Sequence, residues 1–189
     1  MVKMKMKKAI GITAFLNLGY FLIEFFFALN IKSISLLADS IDFIQDAFVN
    51  FLIIFGLGWS LASRKWLARF LASILMIPIF FIIPNVIRAI KDPTPPAGLQ
   101  ITVVALGALA INFLCSLILV KHRKAEKHLI WAAYLAARND AIANLAVIAV
   151  GLLTFIWPTS IFDIIAGIGI GLLNSISAVR VWRSANSYD

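Results

Sequence analysis

Apolar runs of membrane-spanning length, separated by short polar or proline-bearing breaks, make up nearly all of this chain. The first, Ala9–Leu29, follows the basic start MVKMKMKK. It is longer than the apolar core of a signal peptide, about 7–15 residues, and no small-residue cleavage site follows it, so it reads as a retained helix. The second runs from Ile34 to Trp59. The third, Trp66 to Ile90, contains Pro78 and Pro84, which predict a kink, and it stops at KDPTPP. The fourth covers Leu99 to Val120, and the basic segment KHRKAEKH separates it from the fifth, Leu129 to Thr154. After WPTS the sixth spans Ile161 to Trp182. Each approximates the ~20 residues that cross about 30 Å of hydrocarbon. The pattern predicts an all-α polytopic membrane protein with six transmembrane helices. Residues 1–189 are expected to form one transmembrane domain, with no soluble C-terminal domain.

Composition agrees with that layout. The chain is 62% hydrophobic, against about 45–50% for a soluble domain, and its mean hydropathy is +0.97. The net charge of +8 could suggest nucleic acid, but the placement of charge argues against it. Most acids, namely Glu24, Asp39, Asp42, Asp46, Asp140 and Asp163, lie inside apolar runs, while the bases gather at their ends. Acids within the bilayer and bases at its borders fit a cation pathway rather than a basic binding face. With the N-terminus inside, the outer connections hold only Lys32, Arg88 and Lys91. Apart from Arg138, within the fifth run, the remaining bases fall on the inner side. Both termini are therefore expected in the cytoplasm, with the protein in the cell (inner) membrane. The single cysteine, Cys115, permits no intrachain disulfide.

The chemistry lies in the second and fifth runs. Asp39, Asp42 and Asp46 share one helical face over about two turns. An ionised carboxylate at bilayer depth costs about 2.5–3.5 kcal/mol by insertion scales, so a cation, a proton or a protein partner must compensate. Asp42 and Asp46, one turn apart, can reach a single ion. The fifth run supplies Asp140, with Asn144 one turn further on. If the two helices face each other, three carboxylates surround one point, suited to a divalent first-row metal. The same oxygens take protons when no metal is present, since like charges crowded away from water favour the neutral form. Metal and proton would then compete, which is the basis of exchange.

The stretch FLNLGYFLIEFFFALNIKSISLLADSIDFIQDA, with Asn17, a glutamate seven residues later (Glu24), a serine-rich turn and the aspartate pair, resembles the cation diffusion facilitators. Asn112 and DAIANLAVI in the fifth run extend the resemblance over nearly the whole chain. It implies six helices, divalent metal/proton antiport and a homodimer, with no cofactor and no enzymatic activity. The ion carried would be zinc, manganese, iron or cobalt. It assigns Asp42, Asp46 and Asp140 to metal-ligand positions and puts Ala136 at the fourth, where zinc transporters of this type usually have histidine. Alanine binds no metal, so water, Asn139, Asn144 or Asp39 would complete an all-oxygen shell that suits manganese or iron(II) as well as zinc.

Other features carry plainer readings. Asn17, Glu24 and Asn112 are expected as interhelical hydrogen-bonding support. Arg138 is expected to pair with Asp39 or Glu24, and Asp163 to cap the sixth helix. Gly167, Gly169 and Gly171 are expected to permit close helix packing. Phe25–Phe27 face lipid or packing surface, and His122 and His128 are solvated. Ala136, Arg138 and the expected lack of a cytoplasmic domain support a different class of function: a non-transporting metal-binding or regulatory membrane subunit pairing with a full-length relative.

Overall fold

The computed structural model describes residues 2–56, 66, 70, 79–120 and 129–186, with the side chains of 2–6, 55, 56, 79, 81, 129–139 and most positions beyond 173 outside that description. Within it lie six helices: α1 Val2–Ile31, α2 Ile34–Gly56, α3 Ile79–Lys91, α4 Gly98–Val120, α5 Leu129–Ile156 and α6 Ile161–Asn186. Their ends fall close to the breaks expected from the apolar pattern. Two differences stand out. α1 extends back through the basic start, because lysine and methionine are good helix formers. Of the third run, Trp66, Phe70 and the helix Ile79–Lys91 are described; Pro84 lies inside that helix, and Pro78 falls outside the described residues.

The turn between α1 and α2 is fixed by local chemistry. Lys32 adopts φ 60°, the left-handed conformation that ends many helices. The Ser33 N–H then returns to the Ala28 carbonyl at 3.0 Å, and the Ser33 hydroxyl accepts the Leu36 N–H at 3.3 Å as the N-cap of α2. At the far end of α3, the Asp92 N–H closes on the Arg88 carbonyl at 2.8 Å before the prolines stop the helix.

α1 and α2 form an antiparallel pair with a constant register. Asn17 meets Asp46, the Tyr20 ring meets Phe43 with centroids 5.0 Å apart, and Glu24 meets Asp39. α4 and α5 pack most extensively, and two glycines allow it. A Cβ on Gly98 would lie 2.6 Å from the Gly151 carbonyl oxygen, so only glycine admits so close a backbone. α2 occupies the middle, touching α1, α3, α5 and α6. α6 runs parallel to it, with Gly167 against Ile34 at their common end. Of the other glycines expected to serve packing, Gly171 meets Ile82 of α3, whereas Gly169 has nothing within 4 Å of its built Cβ.

Burial is inverted relative to a soluble protein. Phe15, Phe26, Phe80, Ile165 and Leu173 face outward, Phe80 with 72% exposure, while Glu24, Asp39 and Asp163 are buried. Phe25 packs against a core of Leu36, Leu37, Ile41, Ile101 and Val147, and Phe26 and Phe27 turn outward. So large an apolar exterior needs lipid rather than water as its solvent. By length and hydropathy, Lys7–Ile31 and Gly98–Val120 each qualify as complete spans among the described residues.

Candidate metal-cation site

Four helices converge on Asp46. Its carboxylate accepts the Asn17 Nδ2 of α1 at 3.4 Å, and Cys115 of α4 in turn donates its Sγ–H to Asn17 Oδ1 at 3.5 Å. The Asp140 carboxyl of α5 comes within side-chain bonding reach of Asp46. Asn50, one turn on, donates Nδ2 to the Asp46 backbone carbonyl at 2.8 Å. That bond turns a polar residue inside an apolar helix back onto its own backbone.

Asp42 stands one turn from Asp46 on the same face of α2 and within electrostatic range of both Asp46 and Asp140. The acids expected from the second and fifth runs are thus half-buried neighbours between the helices. They are gathered without being closed. Among the described residues, no three His, Cys, Asp or Glu side chains draw together tightly enough to ligate one ion. The donor set is carboxylate and amide oxygen, with a thiol as neighbour, and it fits a hard or borderline divalent cation once the carboxylates move together.

The supporting residues divide. Asn144 is completely buried, and neither its oxygen nor its nitrogen has a partner among the described residues. It shares the Asp140 face of α5, and Val147 on that face packs into the core with Leu37 and Ile41 of α2. Asn112 is buried on α4. The side chains of Ala136, Arg138 and Asn139 lie outside the described residues, as do His122 and His128. The expected pairing of Arg138 with Asp39 or Glu24 therefore falls outside the described residues.

Asp163 corrects an expectation outright. Its carboxylate does not serve α6 but the start of α2. It accepts the Ile34 N–H at 2.7 Å, the Ser35 N–H at 3.1 Å, the Ser35 hydroxyl at 2.6 Å and the Ser33 hydroxyl at 2.7 Å. The residues missed by sequence reasoning were Cys115, Asn50 and Tyr20. Asn50 sits one turn beyond Asp46 and could have been found from that spacing. Cys115 and Tyr20 carried no comparable signal.

An all-helical bundle that turns large apolar side chains outward and gathers acids within defines a polytopic membrane protein that handles cations. Residues 10–188 match the family profile described as the cation efflux transmembrane domain. The chain belongs to the cation efflux family: it is an integral multi-pass membrane protein that transports metal cations, and it is not an enzyme. No curated protein sequence matches it significantly.

Proposed function

We propose that the protein exports divalent first-row metal cations from the cytoplasm in exchange for protons, with Asp42, Asp46 and Asp140 holding the ion and carrying the protons. The observation that carries this reading is the meeting of Asp140 on α5 with Asp46 on α2, inside a bundle whose outer surface is apolar. Carboxylates from two helices can release a cation when the helices separate and protons take its place. The charge asymmetry of the connections supports cytoplasmic termini in the cell membrane, and the family supports a homodimer. The oxygen-rich donor set supports manganese or iron(II) alongside zinc and cobalt.

The test is flux. Purified protein in liposomes with an internal metal-sensing dye and an imposed pH gradient should move at least one of zinc, manganese, cobalt or iron(II). Replacing Asp46 or Asp140 with Ala should abolish that flux. A second reading draws on Ala136 and on the unclosed arrangement of the acids: a metal-binding subunit that does not transport alone. Metal binding without flux for any of the four ions would select it.

A further inference from the structure

Above the Asp46 level, α1 and α2 bring a second pair of acids together. Glu24 and Asp39 are both fully buried, and their carboxyl groups meet each other. Among the described residues, no N–H or O–H reaches any of their four oxygens. Asn17 and Glu24, like Asp46 and Asp39, are seven residues apart, so this pair stands about 10 Å from the Asn17–Asp46 contact along the helix axes. Asp42 of the first site lies between the two levels, within electrostatic range of both Glu24 and Asp39, so the two sets of acids are neighbours.

Nearby hydroxyls among the described residues are committed elsewhere: Ser40, next to Asp39, donates to the Leu37 carbonyl at 2.8 Å. Tyr20, one turn before Glu24 and within electrostatic range of both acids, donates its proton to the Val104 carbonyl at 2.5 Å. Gly107 presses on that hydroxyl so closely that a built Cβ would collide with it. Tyr20 therefore brings the carboxylates no proton. Between the two levels, Asn144 stands one turn above Asp140 on the α5 face that packs against α2, fully buried with both polar atoms unpartnered. Two buried carboxylates with only each other for company cost several kcal/mol when both are charged. One divalent cation brings the pair to zero net charge, and an all-oxygen set suits a hard one.

We propose that Glu24 and Asp39 form a second divalent-cation station, joined to the Asp42–Asp46–Asp140 site by the unpartnered amide of Asn144. The station lies on the outward side of that site, a direction that rests on the proposed transport reading; its existence does not. An ion leaving Asp46 and Asp140 passes Asn144 and rests between Glu24 and Asp39 before release.

Mn2+ binding to the full chain in detergent, followed by equilibrium dialysis and by loss of the free-ion paramagnetic resonance signal, tests the station. The wild type is expected to hold about two ions per chain, and E24Q/D39N about one. D46N/D140N should also keep about one, and adding E24Q to that variant should remove it. Binding by E24Q/D39N at the wild-type level overturns the station, and so does complete loss of binding in D46N/D140N. If D46N/D140N loses an ion in the first of those cases, the transport-site reading survives. Loss of an ion in E24Q/D39N together with no loss in D46N/D140N leaves the station and removes the transport site. Should E24Q/D39N fail to fold, E24Q and D39N alone must each weaken the outer ion tenfold or more; unchanged affinity in both overturns the proposal.

Discussion

Asp163, in the first turn of α6, accepts the backbone N–H of Ile34 at the start of α2 at 2.7 Å, across 129 positions of sequence. The helix that carries Asp39, Asp42 and Asp46 is therefore held at one end by a carboxylate from another helix. An N-terminus with its amides exposed to apolar surroundings is costly, and the negative charge also complements the helix dipole. The same carboxylate binds the hydroxyls of Ser33 and Ser35, so one group organises the whole α1–α2 turn.

Removing that group should be severe. Asp163→Ala leaves two serine hydroxyls and two amides without their acceptor. At about 1.5–3 kcal/mol for a hydrogen bond to a charged group, only partly additive, the expected loss is about 3 kcal/mol. Asp163→Asn, which keeps one acceptor oxygen, should lose about half as much. Melting temperature in detergent, compared across the two variants, checks the order. Equal stability of Asp163→Ala and the wild type would show that the clamp contributes nothing.

The sequence made some of this legible and hid the rest for identifiable reasons. The spans were readable because lipid demands about 20 apolar residues per crossing, and the breaks at Asn30–Ser33, KDPTPP and WPTS punctuate them plainly. The acids on α2 were readable as one stripe because helical periodicity is local. Register between helices is a different matter. That Asn17 meets Asp46 while Glu24 meets Asp39 depends on how α1 slides along α2, and nothing in either segment alone fixes that slide. The seven-residue spacing was visible in both helices, yet only their pairing shows two polar levels instead of one. Asp163 was misassigned for the same reason: a carboxylate in the first turn of a helix is a good local cap, and its actual partners lie on a distant segment.

Asn17 and Cys115 form a chain that ends on Asp46, and the two should differ in importance. Asn17 donates directly to the carboxylate, so Asn17→Ala leaves Asp46 free to turn and removes the amide that orients it. A rise of about tenfold in the metal concentration for half-maximal flux is expected, with the fold retained. Cys115 donates only a weak thiol bond, at 3.5 Å, and Cys115→Ala should leave flux within about twofold. Dye-based flux in liposomes measures both. Equal effects of the two substitutions would remove Asn17 from the site.

Glycines with the same composition signal should respond in opposite ways. Gly98→Ala would drive a methyl group to 2.6 Å from the Gly151 carbonyl oxygen and 2.9 Å from Phe155 Cα, so α4 and α5 must separate. A loss of about 1–3 kcal/mol is expected. Gly169→Ala, with nothing within 4 Å of the new carbon, should be neutral or gain about 0.5–1 kcal/mol from helix propensity. Thermal unfolding of both variants in the same detergent distinguishes a packing glycine from an incidental one.

Lys32 holds the left-handed conformation that ends α1 with φ 60°, where an L side chain costs about 1–2 kcal/mol. Lys32→Gly should recover part of that, near 1 kcal/mol, after the extra freedom glycine gives the unfolded chain. Because Lys32 is exposed, its charge contributes little to packing. The substitution should raise the melting temperature without altering flux, and a fall in melting temperature would show that the turn tolerates lysine without strain.

Ala136 offers a direct handle on metal preference. It lies four residues before Asp140 on α5, so a longer side chain there emerges from the face that carries Asp140. Ala136→His would add an imidazole nitrogen to a set built from oxygen donors. Nitrogen donors favour zinc over manganese, following the order of divalent affinities and ligand softness. The variant should shift the zinc-to-manganese flux ratio by about tenfold toward zinc, the equivalent of about 1.4 kcal/mol. The comparison must be made at matched pH, because a histidine also adds a titrating group to the proton side of the exchange. An unchanged ratio would mean that position 136 does not reach the ion and that the donor set is complete without it.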